Sequence, residues 1–208
     1  MIKIISLDVD GTLVDYQYAD LVWCEGVPRL YAQKNKISFE DSKKFVMNEY
    51  MKVGERRIEW YDIRYWFRYF GLEGWQNLLK EYEDRVRIYS DVEESLEKLS
   101  KKFKLVIASN AAREFIEVTT KSLRKYFSAL FSSTTDFGLV KKTPEFYLKL
   151  LEKLGIEKEE LLHVGDHYEF DYLVPRRLRI RAFYVDRNGS REGENVIRSL
   201  KELVAILC

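Results

Sequence analysis

Two aspartates stand where the first apolar segment of the chain ends, in the stretch "IISLDVDGT" at positions 4–12. One residue separates Asp8 from Asp10, so both side chains can reach one site at the end of a strand. Two unpaired carboxylates in a partly dry crevice are costly, and one would hold a proton unless a cation neutralised the pair. Carboxylate oxygens suit Mg²⁺, which is usually held by one or two carboxylates plus a substrate phosphate. The spacing therefore suggests a magnesium site.

Further polar clusters follow strand-like segments later in the chain and could complete such a site. Single motifs of these types are usually turns, caps or solvated surface. Several in order, each at the end of a predicted strand or in the loop after one, indicate a single site. The set offers carboxylates for a metal, with cationic and neutral donors opposite, and so fits a phosphoryl group. The clusters are "SN" (Ser109, Asn110), "KK" (Lys141, Lys142) in the loop "GLVKKTP", and Asp166 with Asp171 in "GDHYEFD".

The segments that must position these residues alternate between strand and helix after Arg85. This alternation predicts an α/β fold in which helices cover both faces of a parallel sheet. One helix is delimited by Thr143 as N-cap, Pro144 at its first position and Gly155 as its stop. Others are predicted after "SD" with Asp91 as a cap, over about 112–125, and in "YLVPRRL" until its proline. Ligands gather beyond the carboxyl ends of parallel strands, so the polar clusters should meet there.

Residues 16–85 carry helical periodicity with almost no strand signal. Ser38 and Asp41 form a capping-box pattern at the start of one helix. Another segment, "RRIEWYDIRYWFRYFGL", places large apolar side chains at helical spacings. We therefore predict a helical domain with its own small core at 16–85, inserted after the first strand of a core domain formed by 1–15 and 86–208.

Composition excludes several classes of function. The 208 residues include 35 Lys and Arg against 34 Asp and Glu, a net charge of +1, so no basic surface calls for nucleic acid or an anionic membrane. No apolar stretch approaches the roughly 18 residues of a membrane span. Asp8 interrupts any signal-peptide core, and the two cysteines suggest neither a disulfide framework nor a zinc site. We expect a cytoplasmic protein, a monomer or small homo-oligomer.

Four stretches resemble the motifs of the haloacid dehalogenase (HAD) superfamily, in the same order: "DVDGTLVD", "VIASN", "GLVKKTPEFY" and "HVGDHYEFD". The resemblance spans nearly the whole chain. It implies an α/β fold with a HAD-like Rossmannoid parallel sheet, and it likens the helical segment 16–85 to the type I cap of that superfamily.

The resemblance also implies roles for the opening motif. Asp8 would be the nucleophile that forms an aspartyl-phosphate, which splits hydrolysis into two easier steps. Asp10 would protonate the leaving oxygen and then accept a proton from the attacking water. Thr12, among the residues near the substrate, would help to position Asp10.

The later motifs supply binding groups in the same comparison. Ser109 and the backbone of Asn110 would bind the phosphoryl oxygens, and a lysine would offset the charge on the nucleophile and the phosphate. Asp171 would support the loop. The implied Mg²⁺ ligands are Asp8, the carbonyl of Asp10, and Asp166.

The lysine is ambiguous because the superfamily usually has Lys-Pro at its third motif, whereas this chain reads Lys141-Lys142-Thr143-Pro144. Aligning "GLVK" and "PEFY" with the superfamily pattern favours Lys141. Other conspicuous residues are interpreted as structure. His163 is expected to be a core or strand-end residue, and we expect one or two aromatic residues of the cap to face the site.

The function predicted from these motifs is a Mg²⁺-dependent phosphatase acting on a small phosphorylated molecule. A phosphomutase shares the core motifs and stays an alternative. A 2-haloacid dehalogenase is disfavoured by Asp10, because displacement of a halide needs no acid. A non-catalytic binding module is disfavoured by the intact set of catalytic residues.

Overall fold

One sheet of six parallel strands organises the computed structural model, which describes all 208 residues. Its order is β3-β2-β1-β4-β5-β6. The strands up to β3 are therefore added on one side of β1, and those from β4 onward are added on its other side. Open parallel sheets bind ligands at such a switch point, beyond the strand ends. The predicted α/β Rossmannoid fold is confirmed. The strands are β1 (Ile4–Leu7), β2 (Lys104–Ser109), β3 (Phe127–Ser132), β4 (Leu161–Gly165), β5 (Arg181–Val185) and β6 (Val196–Ile197).

The chain divides into two compact units, a core unit of Met1–Asp15 with Ile88–Cys208 and an inserted unit of Tyr16–Arg87. The inserted unit contains helices and no strand. Its role as a cap stays a prediction. Its helices are α1 (Gln17–Leu21), α2 (Val27–Asn35), α3 (Phe39–Val53), α4 (Ile63–Tyr69) and α5 (Trp75–Glu81), with a π-helical turn at Val22–Gly26 and 3₁₀ turns at Ile58–Tyr61 and Glu83–Arg85.

Aromatic side chains form the interior of the inserted unit. α3 begins at the predicted cap, where Ser38 Oγ accepts from the Asp41 N–H at 3.1 Å. The ring of Tyr50 meets that of Trp66 edge-on at 4.5 Å between centroids, and Trp66 stacks on Phe70 at 5.5 Å. All three rings are buried. In the same segment Phe67 is also buried, whereas Trp60, Tyr61 and Tyr65 are partly exposed.

Six helices belong to the core unit. α9 lies between the predicted signals, with Pro144 in its first turn and Gly155 in a left-handed conformation, φ 64°, at its end. The helices are α6 (Val92–Ser100), α7 (Arg113–Thr119), α8 (Ser133–Phe137), α9 (Pro144–Leu154), α10 (Val174–Arg177) and α11 (Leu200–Leu207), with 3₁₀ turns at Lys121–Tyr126 and Lys158–Glu160 and a π-helical turn at Tyr168–Leu173.

Three details of the core helices differ from the sequence prediction. The helix expected over 112–125 stops at Thr119, because the hydroxyls of Thr119 and Thr120 bond back to carbonyls at Phe115 and Ile116, 2.9 and 2.6 Å away. Pro175 lies in the first turn of α10 instead of interrupting a helix. Asp91 does not cap α6 with its side chain.

One face of the sheet packs against α9. Ile4, Val106 and Leu161 lie in one buried cluster with Phe146 and Leu150 of α9. Because side chains alternate along a strand, Ser6 and Asp8 follow Ile4 on this face of β1, and His163 follows Leu161 on β4. On this face, polar side chains therefore follow the apolar ones toward the carboxyl ends of β1 and β4.

The chain leaves and re-enters the core unit at neighbouring points. Val14 forms an antiparallel bridge with Ile88, and the Tyr89 N–H donates to Leu13 O at 3.1 Å. No helix of the structure combines the length and apolar character that crossing a bilayer would require.

Candidate functional site

Asp8 extends the central strand into a tight loop. Its N–H donates to Val164 O at 2.9 Å, so β1 is still paired with β4 at this point, and the side chain is buried. The loop then turns back, with Gly11 at φ 76° and the N–H of Leu13 bonded to Val9 O at 2.8 Å. A β-carbon would strain a residue in that left-handed conformation. Asp10, in the turn, is partly exposed.

Lys142, and not Lys141, is the lysine beside Asp8. Its Nζ donates to Asp8 Oδ1, lies 2.6 Å from Asp171 Oδ1 and donates to Ala108 O at 3.1 Å. An ammonium group has three hydrogens, so these three acceptors use all of them. The structure thus places Lys142 where motif spacing favoured Lys141, and the catalytic role of either lysine stays a prediction.

A compact turn explains this difference between the expected and the observed placement. The Thr143 N–H donates to Lys141 O at 2.8 Å, and this turn presents the neighbouring lysines in different directions. Lys141 Nζ lies 5.7 Å from the centre of the Phe170 ring, whereas the Lys142 side chain is only 1% exposed. Residue counting from Gly138 does not reveal such a turn.

Asp171 anchors the lysine from the other side. Its Oδ1 also lies 3.0 Å from His163 Nε2, and its Oδ2 accepts from the His167 N–H at 3.0 Å. Gly165 makes room for this carboxylate, because a β-carbon at Gly165 would lie 2.7 Å from Asp171 Cβ. The placement agrees with the supporting position predicted for Asp171, whose function stays a prediction.

The buried charged groups shift one another's pKa values. Burial raises the pKa of Asp8 above its ordinary value, while the Lys142 ammonium opposes the shift. Burial also disfavours ionisation of Asp171, but Lys142 and the hydrogen bond from His163 outweigh it and hold the pKa of Asp171 well below its ordinary value. Likewise, the two carboxylates outweigh burial and raise the pKa of Lys142. With a neutral His163, the cluster carries two negative charges and one positive charge when Asp8 is ionised.

Asp166 brings a further carboxylate to the same place. It follows β4 and is partly exposed, and its Oδ1 lies 3.5 Å from Thr12 Oγ1. Asp8, Asp166 and Asp171 each offer one oxygen, and these three atoms lie within 4.8 Å of one another. The predicted metal residues Asp8 and Asp166 are thus brought together. This surplus of hard oxygen donors and negative charge fits a small divalent cation such as Mg²⁺.

The predicted phosphate-binding residues lie at the end of the neighbouring strand. Ser109 ends β2 and is buried, and its Oγ accepts from the Ala111 N–H at 3.2 Å. Asn110 is partly exposed, with its Oδ1 3.4 Å from Ser133 Oγ. Since β2 pairs directly with β1, these residues follow the strand next to the one that ends at Asp8.

Sequence reasoning missed two residues that contact this constellation. Arg187 donates to Thr12 O at 2.6 Å and to Asp91 Oδ1 at 2.9 Å, so it joins the opening loop to the start of α6. Ser6 lies 2.8 Å from His163 Nδ1. For Ser6 a signal was available, because "IISL" and "LLHVG" each carry one polar residue inside an otherwise apolar strand. For Arg187 no comparable signal exists.

The chain is similar in sequence to known proteins. Haloacid dehalogenase-like hydrolase domain-containing protein 3 of Danio rerio is 34% identical over 91 residues, which cover 41% of this chain and 37% of that protein. The GMP/IMP nucleotidase YrfG of Escherichia coli (strain K12) is 26% identical over 165 residues, covering 78% of this chain and 73% of that protein.

Solved structures share the fold over almost their whole length. A HAD phosphatase from Thermococcus onnurineus superposes with a TM-score of 0.83 at 26% identity, covering 100% of this chain and 98% of that one. A 2-haloacid dehalogenase from Pseudomonas syringae pv. Tomato DC3000 gives a TM-score of 0.70 at 23% identity, with 100% and 98% covered, a likeness of fold alone. The family model for haloacid dehalogenase-like hydrolases matches residues 2–178, and the chain belongs to this family of hydrolases.

Proposed function

We propose that this hydrolase is a Mg²⁺-dependent phosphatase that hydrolyses a small phosphorylated metabolite through an aspartyl-phosphate at Asp8. The observation that carries the proposal is the position of Asp8. It is a buried carboxylate paired with Lys142, within 4.8 Å of the oxygens offered by Asp166 and Asp171. The excess negative charge in this cluster calls for a cation, and a phosphoryl group is the substrate that metal and lysine together would neutralise.

Lys142 prepares Asp8 for attack. It engages Oδ1, which leaves Oδ2 as the oxygen that attacks phosphorus. The ammonium also opposes the effect of burial on the pKa of Asp8 and so favours the ionised form of the nucleophile. A protonated carboxyl would be a far weaker nucleophile.

Asp10 handles the proton in both halves of the reaction. As Asp8 attacks, the bond between phosphorus and the ester oxygen breaks, and Asp10 donates its proton to that oxygen. Water then attacks the phosphorus of the aspartyl-phosphate and gives its proton to Asp10. The bond to Asp8 breaks, which releases inorganic phosphate and restores both carboxyl groups to their starting forms.

The remaining residues would bind the phosphoryl group, hold Mg²⁺ or support the other side chains. Ser109 Oγ already accepts from Ala111, so its hydroxyl hydrogen is the donor it would offer to a phosphoryl oxygen. Asn110 would contribute its backbone N–H. Asp8, the Asp10 carbonyl and Asp166 would hold Mg²⁺, which when bound offsets the charge of the phosphate and the carboxylates. Asp171 is left as a support, because its oxygens are already engaged by Lys142, His163 and the His167 backbone.

The test is turnover of an aryl phosphate by metal-stripped protein, with and without added Mg²⁺. We expect hydrolysis with the ion and none in excess chelator. Brief incubation with radiolabelled substrate should label wild-type protein covalently and leave Asp8→Asn unlabelled. A panel of nucleoside monophosphates, sugar phosphates and pyrophosphate, run beside 2-haloacids without metal, would then rank the substrates.

Three results would contradict the proposal. Full activity in excess chelator after removal of bound metal would refute dependence on a divalent ion. Turnover of 2-haloacids exceeding that of every phosphate ester would identify a dehalogenase. Transfer of the phosphoryl group within one sugar phosphate, with no release of phosphate, would identify a mutase.

A further inference from the structure

Two buried polar side chains lie opposite each other inside the sheet. Ser6 is in register with His163 across β1 and β4, and Ser6 Oγ lies 2.8 Å from His163 Nδ1. Both residues are completely buried. Polar groups in such a place are costly unless each has a hydrogen-bond partner. The steps proposed above use neither residue, so their retention inside an apolar sheet calls for a reason.

The hydrogen bonds of His163 select one form of its ring. Its Nε2 lies 3.0 Å from Asp171 Oδ1, and an ionised carboxylate only accepts, so Nε2 carries the hydrogen. Burial lowers the pKa of His163, which keeps the ring neutral and makes Nδ1 an acceptor. The Ser6 hydroxyl donates to Nδ1 at 2.8 Å in preference to Leu162 O at 3.4 Å. Ser6 therefore stabilises the form that donates to Asp171.

Asp171 transmits this constraint to the lysine. Its Oδ1 accepts hydrogen bonds from His163 and Lys142, while its Oδ2 accepts one from the His167 N–H. Lys142 in turn contacts Asp8 and Ala108 O. The position of the ammonium beside Asp8 therefore depends on where Asp171 is held. The ring of Tyr147 meets the His163 ring edge-on at 5.2 Å between centroids, which restricts rotation of the imidazole.

We propose that His163, oriented by Ser6, is a positioning residue that holds Asp171 and thereby sets Lys142 against the nucleophile. The kinetic part of this proposal rests on the proposed function, since it takes Asp8 as the attacking group. The structural part, the Nε2–H form of His163 bonded to Ser6 and Asp171, is independent of any activity.

The structural part is tested by NMR of ¹⁵N-labelled full-length protein without metal or substrate. The chain has only two histidines, so the spectrum contains two imidazole rings. His167→Asn removes the other one and assigns the signals of His163. We expect a neutral His163 with its hydrogen on Nε2. A ring protonated on Nδ1, or one that averages between both neutral forms, would overturn the proposal.

The kinetic part is tested with His163→Leu and His163→Gln on an aryl phosphate. The leucine variant should lose about 10-fold to 100-fold in kcat, as is typical when a partner that orients a reactive group is removed, with KM nearly unchanged. The glutamine variant should lose less, because its amide N–H can donate to Asp171. Equal losses would count against the hydrogen bond as the cause and overturn the proposal.

A double-mutant cycle separates positioning from general damage. In a Lys142→Met background, His163→Leu should change kcat by less than about twofold, because the group it positions is already gone. Full multiplication of the two losses would overturn the proposal. Ser6→Ala, which removes a single buried oxygen, should lose about fivefold, near the worth of one neutral hydrogen bond, and should add nothing to His163→Leu.

These experiments distinguish a failure of the proposed function from a failure of the role proposed for His163. Absence of phosphatase activity in wild-type protein would refute the proposed function, while the NMR experiment would still decide the form of His163. If His163→Leu does not fold, Ser6→Ala and the NMR experiment carry the decision.

Discussion

Lys142 donates to the carboxylate of Asp8, although 134 positions separate the two residues in the chain. The contact lies in the core unit, at the carboxyl end of the central strand. A buried ammonium between two carboxylates is held by charge and by hydrogen bonds on every side, so small changes around it should have measurable effects.

Replacing this lysine should therefore be far more damaging than replacing its neighbour. We expect Lys142→Ala to reduce kcat/KM for an aryl phosphate by about 100-fold or more, the range seen when a charge-stabilising donor is lost. Loss of the ammonium also raises the pKa of Asp8, so the acid limb of the pH–rate profile should move to higher pH. Lys141→Ala is the matched control and should stay within a few-fold of wild type. A large loss confined to Lys141→Ala would return the role to that residue.

Substitutions of Asp8 and Asp10 should impair the reaction in different ways. Asp8→Asn removes the nucleophile, so turnover should fall by about four orders of magnitude or more and no phosphoenzyme should form. Asp10→Asn should slow turnover severely yet still allow phosphorylation by an ester whose leaving group needs no proton. Quench-flow with an activated and an unactivated ester measures both steps. Near wild-type activity of Asp8→Asn would contradict these assignments.

Gly165→Ala should displace Asp171. The added β-carbon would lie 2.7 Å from Asp171 Cβ, and Asp171 is completely buried. We expect a loss of about 1–3 kcal/mol in the free energy of unfolding from overpacking, together with reduced kcat. Gly155→Ala is the control: it meets no atom within 4 Å but is strained at φ 64°. It should lower stability while leaving kcat unchanged, as denaturant titration and kinetics can establish.

The reach of sequence reasoning can be judged from particular residues. Pro144 and Gly155 delimit α9 because proline and glycine act through local backbone geometry, which a sequence displays directly. The choice between Lys141 and Lys142 depended instead on a turn in an irregular loop. The pairing of Ser6 with His163 depends on strand register between segments 157 positions apart. Local periodicity carries no information about such a register, so the contact between these two residues became visible only in the fold.

Stability should fall in mild acid because His163 is buried and neutral. Burial places its pKa below the ordinary 6.5, so below pH 6.5 the unfolded chain binds a proton that the folded protein does not. This contribution is complete above pH 6.5 and is lost as the pH falls, by at most about 1.4 kcal/mol per pH unit. Urea titrations of wild type and His163→Leu from pH 8 to pH 5 measure it. An unchanged pH dependence in the variant would contradict the prediction.

Arg187 should contribute to stability through its charged hydrogen bonds. Its side chain is 15% exposed and bonds both Asp91 and Thr12 O, and its guanidinium lies 3.7 Å from the centre of the Tyr89 ring. Arg187→Met should lower the free energy of unfolding by about 2 kcal/mol. Arg29→Met, which breaks a more exposed pair with Glu81, should cost less than about 1 kcal/mol. Comparable losses in the two variants would contradict the prediction.

The bridge between Val14 and Ile88 bears on how chains of this kind diversify. Because the segment 16–87 departs and returns at adjacent residues of the core unit, a single short join would close the gap that its deletion leaves. Insertions are tolerated best where their two ends are close together. During evolution the helical segment could thus be gained, lost or exchanged as one block. The contact between Asp8 and Lys142 would stay untouched, because both residues lie outside the block.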